Sequence, residues 1–129
     1  MKIEHLALWT NQLEAMKEFY CTYFGGVAGE KYVNHHTEFE SYFITFDEGA
    51  RIELMYTTSI VEKETYEMIV ALGLTHFAVS VGSDLEVRRL TERLREHGFT
   101  VASDVRMTGD GYVESVILDP DGNCVEITI

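Results

Sequence analysis

The chain has 129 residues, 46% of them apolar, which is enough to bury a core at the size of one compact domain. Acidic residues outnumber basic ones by 22 to 10, and the resulting formal charge of −12 repels phosphate backbones and anionic membranes, so nucleic acid is not an expected partner. No apolar run approaches the roughly 20 residues needed to cross a bilayer, and the N-terminus lacks the basic and apolar blocks of a signal peptide, so the expectation is a cytoplasmic protein without a membrane partner.

In chain order, an apolar stretch predicts a strand at about 2–9, with Ile3, His5, Ala7 and Trp9 on one face and Leu6 and Leu8 on the other. Asn11 with Glu14 reads as a helix start, and Leu13, Met16, Phe19, Tyr20, Tyr23 and Phe24 recur at helical spacing up to Gly25, which predicts an amphipathic helix at about 11–24. Strands follow near 27–33, 39–47 and 50–56, the last two joined by a turn at Asp47-Glu48-Gly49. The stretch 57–73 reads as a linker holding a short helix, with Tyr66, Ile69, Val70 and Leu72 at intervals. A strand at about 74–81 and a helix at about 83–97 come next. Ser83 with Glu86 marks the helix start, Leu85, Val87, Leu90 and Leu94 form its apolar face, and Gly98 ends it. Strands near 99–106, 111–118 and 123–129 complete the chain, with turns at Gly109-Asp110-Gly111 and Asp119-Pro120-Asp121-Gly122.

The second half repeats the first. His76 follows His5 by seventy-one positions, each third in an apolar strand that leads into a capped helix ending at glycine. Gly122-Asn123-Cys124-Val125-Glu126-Ile127 follows Gly49-Ala50-Arg51-Ile52-Glu53-Leu54 by seventy-three, so the second copy has gained two residues between its helix and its last strand. One domain over 1–129 is therefore expected, built from module 1 (1–56), a linker (57–73) and module 2 (74–129).

His5, Glu53, His76 and Glu126 stand at matched positions of the two copies. Arg51 and Met55 flank Glu53, and Cys124 and Thr128 flank Glu126, so neither carboxylate lies on a plainly wet face. A carboxylate there is costly unless paired or bound to metal. Two imidazoles and two carboxylates are a common donor set for a divalent transition ion, and one ion would compensate both negative charges. Taken singly, a strand histidine is more often a hydrogen-bonded half-buried residue, and a strand glutamate more often lies on a solvated face. The metal-site reading rests on the four jointly. His35-His36-x-Glu38-x-Glu40 is as rich in donors, but adjacent histidines point to opposite faces and the segment has no counterpart in the second copy; it reads as an exposed loop or edge, with a place at the mouth of a site as the alternative. His97 reads as a helix cap. Cys21 and Cys124 read as free thiols, Cys124 sharing the face of Glu126.

The His5 strand, the Phe19-Tyr20 to Phe24-Gly25-Gly26 helix end, Ile52-Glu53-Leu54, His76-Phe77-Ala78-Val79-Ser80-Val81 and Asp119-Pro120-Asp121-Gly122-Asn123-Cys124-Val125-Glu126 together resemble the glyoxalase I branch of the vicinal oxygen chelate superfamily, over essentially the whole chain. The resemblance implies an α+β fold of two βαβββ modules forming a U-shaped, half-barrel mixed sheet around a central cavity, usually as a homodimer. It implies His5, Glu53, His76 and Glu126 as ligands of a divalent transition metal ion, nickel or zinc foremost, with cobalt, manganese or iron as alternatives. It also implies a lyase or isomerase that stabilises an enediolate on that ion while a proton moves. Glu126 would be the base and Glu53 its partner or alternative, and the substrate would be a small molecule. Relatives such as extradiol dioxygenases resemble the chain in fold but use three ligands, and Glu53 argues against them.

One departure bears on the substrate. Where glutathione-using relatives carry an arginine after the first histidine, this chain has Trp9; Arg51, on the face of Glu53, reads as a substitute cation or as an exposed surface arginine. The alternative reading is a small-molecule or antibiotic-binding module without catalysis, with Trp9, Tyr42, Tyr56 and Tyr112 as wall residues.

Overall fold

The computed structural model describes residues 1–61, 72–109 and 111–129. The linker helix expected around Tyr66, Ile69 and Val70 lies outside the described residues. Internal contacts divide the chain into two compact units, Met1–Thr65 and Tyr66–Ile129.

In the first unit, β1 (His5–Trp9) leads through α1 (Leu13–Phe24) to β2 (Val27–Ala28), β3 (Tyr32–Asn34), β4 (Phe39–Thr45) and β5 (Arg51–Thr57). The strand expected at 27–33 is thus two short strands, both antiparallel to β4. The sheet runs β1-β5-β4-β2, with β1 parallel to β5 and β4 antiparallel to it. Leu13, Met16, Phe19 and Tyr20 of α1 are buried together with Tyr42, Ile44, Ile52 and Leu54 of β4 and β5. At about 1.5–3 kcal/mol for each large apolar side chain removed from water, this seam is what holds helix to sheet.

The ends of α1 are set locally. Gln12 rather than Asn11 occupies the N-cap position, and the buried Thr10 hydroxyl accepts from Gln12 N at 2.8 Å. Gly25 ends the helix in the left-handed conformation, φ 68°. At Gly26 a side chain has no room, since a Cβ would lie 2.4 Å from Ile44 Cγ2. The glycine lets the chain pass close under the sheet.

The second unit holds β6 (Phe77–Ser80), α2 (Asp84–Glu96), β7 (Val101–Met107), β8 (Val113–Leu118) and β9 (Cys124–Thr128), in the sheet order β6-β9-β8-β7. β6 is parallel to β9 and the other pairs are antiparallel, as in the first unit. Ser83 caps α2 as expected, accepting from Glu86 N at 3.3 Å. Asp84 and Glu86 in its first turn and Arg93 and Arg95 in its last complement the helix dipole. Val87, Leu90 and Leu94 are buried with Ile117, Val125 and Ile127, and inside this apolar layer Thr91 Oγ1 and Ser115 Oγ satisfy one another at 2.7 Å. The chain is therefore α+β: two mixed sheets, each with one helix against one face.

The turn between β8 and β9 is tied by a buried carboxylate. Asp119 Oδ1 accepts from Asn123 N at 2.9 Å and Asp121 N at 3.0 Å, while Oδ2 accepts from Asn123 Nδ2 at 2.9 Å. Those bonds fix where β9, and with it Glu126, begins.

Candidate metal centre

Helix packing covers one face of each sheet, and the other face carries the histidines and glutamates. In the first unit β1 alternates so that His5, Ala7 and Trp9 are exposed while Leu6 and Leu8 are half-buried. The parallel register pairs His5 with Arg51 and Ala7 with Glu53, which brings His5 and Glu53 into neighbouring rows of one face. His5 Nε2 lies 3.7 Å from Glu53 Oε2.

The second unit repeats this. Ala78 pairs with Glu126, as Ala7 pairs with Glu53, and His76 Nε2 lies 3.3 Å from Glu126 Oε2. His76 sits one residue ahead of β6 rather than inside a strand. The Glu53 and Glu126 side chains keep 18% and 17% of their exposure, against 38% and 42% for the histidines. Each carboxylate is thus sheltered while its histidine faces outward, a pair that an incoming ion can reach.

The His5 ring is oriented from behind. Its Nδ1 lies 2.5 Å from Glu4 Oε2, and Glu4 also binds the Arg51 guanidinium. The hydrogen bond from His5 holds the Glu4 carboxyl below its ordinary value, with Arg51 adding to the effect. An ionised carboxylate only accepts, so this contact calls for a proton on Nδ1; in the neutral imidazole the lone pair is then on Nε2, the nitrogen on the Glu53 side. The edge of the His5 ring meets Phe43 at 5.5 Å between centroids, and Arg51 stacks 4.1 Å over the same Phe43. Sequence alternation alone overlooks Glu4, because it assigns neighbours to opposite faces. β1 starts only at His5, so Glu4 lies outside the pleat and its side chain turns to the ring.

Glu126 also lines a cleft of about 290 Å³ with Thr108, Tyr112, Glu114 and Thr128. Glu114 is buried there, and Arg106 Nη2 compensates it at 2.7 Å. Cys124 and Cys21 are free and half-buried, as expected.

Among the described residues, no three His, Cys, Asp or Glu side chains gather into a group fit for a metal ion. Each unit supplies one imidazole and one carboxylate, donors of the kind that suit a divalent transition ion, and Glu4 orients the His5 ring through Nδ1.

The rival cluster falls as expected on an exposed turn. His35, His36 and Glu38 occupy the turn between β3 and β4, where Asn34 Oδ1 accepts from His36 N at 3.0 Å and Glu38 accepts from Thr58 Oγ1 at 2.9 Å. Glu40 is paired with Lys31. Of the aromatic wall candidates, Trp9 and Tyr112 are exposed and Tyr56 half-buried. Tyr42 is not a wall residue: it is buried on the helix side of the sheet and its hydroxyl donates to Glu14 Oε1 at 3.0 Å.

A sequence model of the Glyoxalase/Bleomycin resistance protein/Dioxygenase superfamily matches residues 2–127. The chain belongs to this superfamily. Solved members share its fold at low identity. Glyoxalase I from Zea mays superposes with a TM-score of 0.80 at 20% identity over 98% of this chain, which spans only 44% of the maize chain. A glyoxalase family protein from Enterococcus faecalis gives 0.77 at 22% identity, covering 99% of this chain and 97% of its own. A glyoxylase/bleomycin resistance protein/dioxygenase domain from Frankia sp. gives 0.82 at 17% identity, covering 100% and 97%. No curated protein matches the chain. No helix among the described residues is long and apolar enough to cross a membrane.

Proposed function

We propose that the protein is a metal-dependent lyase or isomerase of the glyoxalase I type, in which His5, Glu53, His76 and Glu126 hold one divalent transition ion, nickel or zinc foremost. The observation that carries this reading is the repeated His–Glu pair: the same residue types, at the same strand register, with Nε2 facing a carboxylate oxygen in both units. Superfamily membership and the glyoxalase I fold likeness support it.

An ion held there supplies Lewis-acid stabilisation of negative charge on a substrate oxygen. The chain's own residues do the rest. Glu126 takes the proton from the carbon beside that oxygen and returns it to the neighbouring carbon, which yields an isomer, or a 2-hydroxyacyl thioester from a hemithioacetal. Its sheltered position in the polar cleft keeps the carboxylate from full hydration. Glu53 holds the matching place and serves as partner to Glu126. Glu4 keeps the His5 ring turned with Nε2 forward. A small-molecule substrate, a homodimeric assembly and a cytoplasmic setting belong to this reading and rest on the family likeness and the acidic composition.

The test is solvent-proton exchange into 2-hydroxy carbonyl compounds and hemithioacetals by metal-loaded protein. Wild type is expected to catalyse exchange at the carbon beside the carbonyl, and Glu126→Gln to lose about a hundredfold or more of that rate while keeping its fold. Exchange unchanged in Glu126→Gln removes the base assignment, and no exchange with any of these compounds removes the reading.

A further inference from the structure

Beyond the His5–Glu53 pair, the open face of the first unit presents three aromatic rings. Trp9 and Phe39 meet at 6.1 Å between centroids with planes at 89°, and Tyr32 lies 6.1 Å from Phe39 with planes at 58°. Trp9 is 52% exposed and Tyr32 56%. These contacts hold the rings relative to one another, and the exposure of Trp9 and Tyr32 leaves ring surface accessible beside them.

Register fixes where this platform lies. The row holding Glu53 runs Ala7-Glu53-Phe43, and the next row along the strands runs Trp9-Met55-Ser41-Tyr32. Two residues along a strand advance about 7 Å, so the rings begin one substituent's length from the Glu53 carboxylate. The fold does not require them. In the second unit the corresponding row is Ser80-Thr128-Glu114-Arg106, which is polar throughout, yet that unit forms the same sheet. Charge points the same way, because Arg51, a cation on this face near His5, is already matched by Glu4 and stacked on Phe43.

We propose that Trp9, Phe39 and Tyr32 form a subsite for a planar aromatic substituent, which makes the preferred ligands aryl-substituted compounds with vicinal oxygens rather than thiol conjugates with carboxylate tails. The substrate class rests on the metal-site reading above; the ring subsite itself does not.

Trp9 is the only tryptophan in the chain, so its fluorescence reports on the platform directly. Three neutral ligands separate the two sites: hydroxyacetone has vicinal oxygens and no ring, acetophenone has the ring without vicinal oxygens, and 2-hydroxyacetophenone has both. In nickel-loaded protein, 2-hydroxyacetophenone is expected to bind at least about tenfold tighter than hydroxyacetone by calorimetry. In metal-free protein, acetophenone is expected to quench Trp9 saturably. Tyr32→Ala, a change at an exposed side chain that keeps the reporter, is expected to cut the ring-dependent factor to below about three while hydroxyacetone binds as before.

Equal affinity for the two hydroxy ketones overturns the substrate class while leaving the metal site standing. If no metal binds, the metal-site reading fails, and acetophenone alone decides the subsite: quenching that never saturates, or that is indifferent to Tyr32→Ala, overturns it. A Trp9 emission typical of a buried ring that shifts red on dilution shows a second copy on the platform and also overturns it.

Discussion

The Nε2 atom of His76 stands 3.3 Å from a carboxylate oxygen of Glu126. His5 and Glu53 repeat the relationship at 3.7 Å, in a unit with its own helix, core and sheet. A chance surface contact between a histidine and a glutamate is ordinary and is worth little in water. The same contact at the same register of a duplicated unit is the observation on which the proposed metal site rests.

Glu4 is expected to matter for metal affinity although it is no ligand. Glu4→Gln removes the charge behind His5 Nδ1 and frees Arg51 from its partner. Carboxylates that orient a ligating imidazole are worth about 10–100-fold in affinity. A competition titration with a chelator should show a loss in that range, with the unfolding midpoint of the metal-free protein little changed.

Gly26→Ala should destabilise the first unit. The added methyl would sit 2.4 Å from Ile44 Cγ2 and 3.2 Å from the Tyr20 carbonyl oxygen, and the latter is backbone that cannot swing away. Overpacking of this kind costs about 1–3 kcal/mol. Urea unfolding measures it, and a variant as stable as wild type would mean that the helix end can shift freely.

The pH dependence of the α1 seam follows from Glu14. Lys17 foremost, then Tyr42 and Lys31, hold its carboxyl at about 2 against an ordinary 4.5. A folded-state value below the unfolded one gives stability that is complete above about 4.5 and lost as pH falls toward 2. The group is more than half exposed, so solvent screening limits the contribution to about 1 kcal/mol or less. The stability difference between wild type and Glu14→Gln should therefore be present at pH 7 and shrink between pH 4.5 and 2. A difference that stays constant over that interval would show that the ion pairs contribute nothing.

Asp119→Ala should loosen the turn that starts β9. It strips acceptors from the backbone amides of Asp121 and Asn123 and from the Asn123 side chain. Orphaning such donors costs about 1–3 kcal/mol, visible as a lower unfolding midpoint. Asp119→Asn keeps one oxygen and should lose less.

The duplication was legible because it is written in side-chain types: a histidine third in an apolar strand, a capped helix, a closing strand with a glutamate. Helix bounds followed from the periodicity of Leu13 to Phe24 and of Val87 to Leu94, which the packed faces confirm. What escaped depends on local geometry. Asn11 has the chemistry of a cap, yet the N-cap position falls on Gln12, whose backbone amide donates to the buried Thr10 hydroxyl. Tyr42 reads as a possible cavity wall until its strand phase puts it with Ile44 on the helix side. The bond from Glu4 to His5 depends on where β1 begins, which an apolar run starting at Ile3 does not reveal.

The most direct test of the shared ion is elemental analysis of purified protein, wild type beside His5→Ala and His76→Ala. One divalent transition ion per chain in wild type, lost from both variants, is the predicted result, since each unit contributes half of the donors. Two ions per chain, or full occupancy surviving either substitution, would contradict it.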